Sequence, residues 1–156
     1  MMNRIVLFLL LALAPVMAVN AQTAKEIYKQ GKELYDAKKY EQALPLLRTA
    51  AEKGHKKAQY RLGRCYDKGH AVGKNKATAF QWYLKSARQD YAKAQYQVAK
   101  AYLKGTVVTA DERKAKSWMK KAVSNPKDGE EVLAKVKKDA AEGHDTAKRL
   151  LTLIGK

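Results

Sequence analysis

The strongest constraint in this sequence is that it repeats itself at an offset of 36 residues. Ala58 then meets Ala94, Leu62 meets Val98, Tyr66 meets Tyr102, Gly69 meets Gly105 and Val72 meets Val108. Further along, Ala79 meets Ala115, Trp82 meets Trp118, Lys85 meets Lys121 and Ala87 meets Val123. Such a period belongs to architectures in which one supersecondary unit cannot bury its apolar side alone and must stack on copies of itself.

Each unit reads as two helices. Ala58, Leu62 and Tyr66 recur at i, i+4, i+8 beside Gly63, and Gly69 follows as a C-terminal cap; Ala79, Trp82, Tyr83 and Ser86-Ala87 line the face of a second helix. Upstream, residues 24–57 form a related unit, with Ile27, Gly31 and Leu34 on one helix and Tyr40, Ala43, Leu47 and Ala50 on the next. Downstream, a helix is expected over Glu130 to Glu142 after the Pro126-Lys127-Asp128-Gly129 turn. A terminal helix carrying Leu150, Leu151 and Ile154 follows. The expected fold is all-α, an α-solenoid of helix-turn-helix units at 24–57, 58–93 and 94–129 with capping helices over 130–156. No strand pattern is visible.

The run from Ala58 to Ala87 resembles the Sel-one-like repeat (SLR), a branch of the tetratricopeptide superfamily. Ala58, Leu62, Gly63, Tyr66, Gly69, Val72, Ala79, Trp82, Tyr83, Lys85 and Ala87 carry the likeness. The next copy matches at Ala94, Tyr102, Gly105, Val108, Asp111, Lys114, Ala115, Trp118, Lys121 and Ala122. Residues 24–57 are closer to a plain tetratricopeptide unit. The copies depart from the pattern where a loop glycine is usual: Ala71 stands in one and Val107 in the next. Asn75 replaces a usual Asp, and Met119 a usual Tyr. The resemblance implies a non-catalytic scaffold for protein–protein contact. Exported members with a disulfide in each repeat have been linked with beta-lactam binding, but this chain has a single cysteine, Cys65, and that implication does not transfer.

The N-terminus reads as a secretory signal peptide over residues 1–21. A short basic start ends at Arg4, Ile5 to Leu13 is apolar, and Val19-Asn20-Ala21 suits cleavage after Ala21, leaving a repeat domain over 22–156. A retained membrane anchor competes with this reading, but the stretch is shorter than the roughly 20 residues a bilayer needs. Export to the periplasm or out of the cell is expected, with no membrane-spanning segment after cleavage. Removal of Arg4 with no acid takes the formal charge from +17 to +16.

Catalytic and ligand motifs are weak. Ser117-Trp118-Met119-Lys120 matches S-x-x-K but lacks the S-D-N and K-T-G companions of serine beta-lactamases, and Trp118 is already a repeat core position. Gly69 to Asn75 has the wrong glycine spacing for a phosphate loop and follows no strand. His55, His70 and His144 form no metal-ligand spacing, two of them following glycine in equivalent turns. No enzyme, cofactor or metal site is expected. Cys65 reads as a packed core residue, an intermolecular disulfide being its alternative.

On a helical wheel the first helices turn a basic, tyrosine-bearing face away from the core. Unit one supplies Lys25, Tyr28, Lys32 and Tyr35. Unit two adds Lys57, Tyr60, Arg61, Arg64 and Lys68, and unit three Lys93, Tyr96, Lys100 and Lys104. By analogy with tetratricopeptide stacking this face is concave. Exposed rows of tyrosines (Tyr28, Tyr60, Tyr96) and cations (Lys32, Arg64, Lys100) then suit another protein or an acidic peptide segment. A solvated face in a lysine-rich chain fits the same pattern, since Lys114, Lys116, Lys120 and Lys121 crowd the second helices as well. Binding of an anionic polymer (cell-wall or lipopolysaccharide phosphates, nucleic acid) by net charge is the alternative function, and a beta-lactam-related enzyme a distant third.

Overall fold

The computed structural model describes residues 22–156; the signal-peptide reading of residues 1–21 lies outside them. These residues form eight helices and no strand. They are α1 (Ala24–Asp36), α2 (Tyr40–Glu52), α3 (Lys56–Lys68), α4 (Lys76–Arg88), α5 (Ala92–Lys104), α6 (Glu112–Val123), α7 (Gly129–Ala141) and α8 (Asp145–Ile154). Consecutive helices pack as pairs, and each pair packs on the next, as the repeat requires. None of the eight is long and apolar enough to cross a membrane.

The boundaries follow from capping chemistry. Thr23 and Glu26 form a capping box at α1, and the His55 Nδ1 accepts from the Ala58 N–H at 3.2 Å to open α3. Asn75 and Asp111, equivalent at the 36-residue offset, each accept from the backbone N–H three residues on at 2.9 Å, opening α4 and α6. Asn75 thus does the capping work of the usual Asp. Gly69 and Gly105 end α3 and α5 in the left-handed region, at φ 77° and 67°. Ala71, where the family pattern has glycine, is forced to φ 57°, whereas Val107 keeps an ordinary negative φ.

The core is a chain of clusters along the stack. Two of them lie between the first two pairs, one formed by Tyr35, Ala43, Leu47 and Cys65. Ile27, Ala50, Ala51, Ala58 and Leu62 join the first pair to the second, and Ala79, Phe80, Tyr83, Ala94 and Val98 join the second to the third. Ala99, Met119, Val136, Ala147 and Leu150 seal the third pair against α7 and α8. Polar ties repeat too. Gln59 donates to the Ala51 carbonyl at 3.2 Å, and its equivalent Gln95 to Ala87 at 3.3 Å, stitching each unit to the helix before it. On the second helices Lys85 sits 4.2 Å above the Trp82 ring and Lys121 4.9 Å above Trp118, the same cation–π contact in successive units.

Candidate functional site

The first helices α1, α3, α5 and α7 adjoin on one side, through specific pairs. Arg61 donates to the Tyr28 hydroxyl (3.3 Å) and to Asp36 (2.9 Å), tying α3 to α1, and Lys93 reaches Glu131 at 2.6 Å, tying α5 to α7. Two hollows open along this side. One, of about 240 Å³, lies between α3, α5 and α7 and is lined by Tyr60, Arg61, Arg64, Tyr91, Lys93, Tyr96, Gln97, Glu131, Val132 and Lys135. The other, of about 280 Å³, lies where α3 and α5 end and α4 begins. Lys68, Lys74, Lys76, Lys100 and Lys104 surround it over a floor that includes Phe80, Tyr83 and Val107. Gln97 belongs to both, so the hollows are contiguous.

The structure corrects the face expected from sequence at two positions. Tyr96 and Tyr35 are buried, at 4% and 6% exposure, not presented to solvent. Tyr96 is covered by α7, its hydroxyl 3.5 Å from Asp139, and Tyr35 by Tyr40, His70, Arg61 and Arg64. The Tyr35 hydroxyl has no hydrogen-bond partner among the described residues, and burial pushes its pKa up to about 12. Tyr28 and Tyr60 are half-buried; Tyr28 stacks on His55 at 4.3 Å, and Tyr60 packs against Tyr83 and Tyr91. Tyr60 and Tyr96 therefore wall the first hollow, Tyr28 lies apart from it, and the three do not form a free row.

Lys25, Lys32, Lys57 and Tyr28 line a separate, shallower depression near the start of α1. Lys32 pairs with Asp36 at 2.7 Å, and Lys32 and Arg61 together hold that carboxyl below its ordinary range. Arg64, Lys68 and Lys104 reach the two hollows as expected. Lys100 lines the second hollow, 5.3 Å from the Tyr96 ring. Burial, reinforced by Lys104, lowers its pKa. Sequence reasoning missed Lys74 and Lys76, which stand in the loop and first turn before α4. It also missed Tyr91, Glu131, Val132 and Lys135, which the cap and capping helix bring in.

The other candidates resolve structurally. Ser117 and Lys120 are exposed on α6 and share no hydrogen bond. Cys65 is fully buried, and burial pushes its thiol up to about 11, which suppresses the thiolate. Asp139, Glu142 and His144 bring ligand atoms within 4.8 Å of one another, but Lys135 and the Tyr96 hydroxyl already occupy the Asp139 carboxylate.

Comparison with known proteins matches the Sel1 repeat to residues 20–55, 56–91 and 92–126. The fold is similar to a Sel1 repeat protein from Oxalobacter formigenes, with TM-score 0.62 and 35% identity over 81% of this chain and 54% of that one. It is also similar to c5321, a protective antigen present in uropathogenic Escherichia coli strains displaying an SLR fold. There the TM-score is 0.66 at 24% identity, covering 89% of this chain and 32% of that one. The chain thus spans about half of the first structure and a third of the second. No curated protein sequence matches it significantly.

Proposed function

This chain belongs to the Sel1 repeat family, and from that premise, with the charge and shape of its first-helix face, we propose that it is an exported scaffold that binds another protein there. Sel1 repeats generally mediate protein–protein interaction and are typically non-catalytic. Export rests on the pattern of residues 1–21, an apolar run between Arg4 and a small-residue cleavage site. The observation that carries the binding proposal is the pair of contiguous hollows, in which aromatic walls adjoin Arg64, Lys74, Lys76, Lys100 and Lys104, cations with no ion pair among the described residues. Aromatic area supplies affinity, and cations supply charge-assisted hydrogen bonds to a carboxylate.

Exchange of Arg64 and Lys100 for Glu tests this reading. Partner capture from the native compartment should fall at least tenfold, while reversal of Lys120 and Lys121 on α6 should leave it unchanged. Equal losses from both variants would favour net-charge attraction to an anionic polymer, with a steep dependence on salt.

A further inference from the structure

The two hollows differ in how their charge is balanced. In the first, Arg61 is paired with Asp36, Lys93 with Glu131 and Lys135 with Asp139, leaving Arg64 without an acidic partner among the described residues. Beside Arg64 and Gln97, what remains is the half-buried Tyr60 and the edges of the buried Tyr91, Tyr96 and Val132. In the second, Lys74, Lys76, Lys100 and Lys104 have no ion pair among the described residues, and the single acid, Asp67, lies 4.0 Å from Lys68. One hollow is therefore suited to an apolar side chain and the other to an anion.

Their separation is fixed by α5, which lines both. Tyr96, Lys100 and Lys104 follow one another at four-residue intervals, so each step along the helix is about 6 Å. From the level of Tyr96 to midway between Lys100 and Lys104 is roughly 9 Å, the rise of about three residues of polyproline II chain, which returns side chains to the same face every third residue. Lys100, half-buried on the wall of the second hollow, gains most from a carboxylate, because its burial cost is then offset by a charge partner.

We propose that the two hollows act as one reader of an extended peptide that carries an apolar or aromatic side chain and, about three residues away, an acidic one. The first side chain fills the tyrosine-walled hollow and the carboxylate meets Lys100 and Lys104. A polyanion fits less well. Its charges would have to run past Glu131 and Asp67, and it brings nothing apolar to the first hollow. This inference rests on the protein-binding role of the same face.

The test is a set of synthetic peptides in a Gly/Ser background, each with one Trp and one Glu, at every separation from one to seven and in both orders. Their binding to the purified protein is read by fluorescence anisotropy. Affinity should peak at a separation of three in one chain direction and fall about tenfold at one and at six. Glu→Gln in the peptide should cost a similar factor in the unaltered protein and nothing in Lys104→Glu, whose exposed position leaves the fold intact. Affinity flat in separation, or absent from every peptide, would overturn the proposal. So would affinity that follows carboxylate number alone, or that an oligonucleotide matches. If affinity is flat in separation but lost in the Arg64→Glu, Lys100→Glu protein, the spacing fails and the protein-binding face stands. If that variant changes neither peptide nor partner binding, both fail.

Discussion

Gly63 is where the stacking of a helix pair can be tested most sharply. A Cβ added there would lie 2.8 Å from two ring carbons of Tyr83 and 3.2 Å from the Ala79 carbonyl oxygen, against about 3.4 Å for ordinary contact. The Tyr83 ring is buried and wedged beside Tyr60, so it has little room to turn. Overpacking of this kind costs about 1–3 kcal/mol, and the better helix propensity of alanine returns about 1 kcal/mol. Gly63→Ala should therefore destabilise by up to about 2 kcal/mol, lowering the melting temperature by up to roughly 8 °C in a domain of this size. The next repeat supplies the control. At the 36-residue offset, Gly63 and Tyr83 become Ala99 and Met119, both fully buried in one cluster, so a larger first residue is matched by a slimmer partner. Copying that pairing, Gly63→Ala should be neutral or stabilising in a Tyr83→Met background, a coupling of about 2 kcal/mol in a double-mutant cycle. A Gly63→Ala protein that melts higher, or a cycle that closes near zero, would refute the close approach of α3 and α4.

The loop residues give a sign contrast. Ala71→Gly should raise stability by up to about 1 kcal/mol by relieving a left-handed alanine, while Val107→Gly should lower it, since φ is negative there and the side chain packs on the second core cluster. His55 predicts a pH slope. Burial, then Lys57 and Lys56, lowers its pKa in the folded state, and only the neutral ring can cap α3. Stability is thus full above the ordinary histidine value and is lost as pH falls from there through the folded one. Denaturant melts should show this loss, and His55→Asn, which keeps a cap acceptor, should reduce the slope. Cys65 should resist thiol reagents in the folded protein and react at once in denaturant, and non-reducing gels should show monomer. Rapid modification of the native thiol would contradict its burial.

The solenoid was legible because its signal is a period. Ala58, Gly69, Trp82 and their partners at +36 occupy equivalent places, and even the cap at Asn75 recurs at Asp111. The candidate face was legible in composition but not in exposure. A wheel shows where a side chain leaves its own helix, not what the next helix covers. Tyr96 is turned from its own core yet lies beneath α7, whose Asp139 and Val132 come from a segment where the repeat has loosened. Lys74 and Lys76 escaped for a different reason. They stand outside the first helices, Lys74 in the loop that returns past the end of α3 and Lys76 as the first residue of α4, and only the turn set by Gly69 and Ala71 brings them beside Lys100 and Lys104. Gln59 and Gln95, polar residues within the first helices, turned out to be buried ties between units.

The central claim is that the first-helix face holds a protein partner, and Gln97, common to both hollows, is the place from which to ask. A photo-crosslinking side chain at Gln97, with a second variant carrying it at Lys116 on α6, would be activated in the native compartment and the adducts sequenced. A protein adduct is expected from Gln97 alone, with the linked peptide carrying an apolar residue about three residues from an acidic one. Equal adducts from both positions, or none from Gln97 while Lys116 captures, would contradict it.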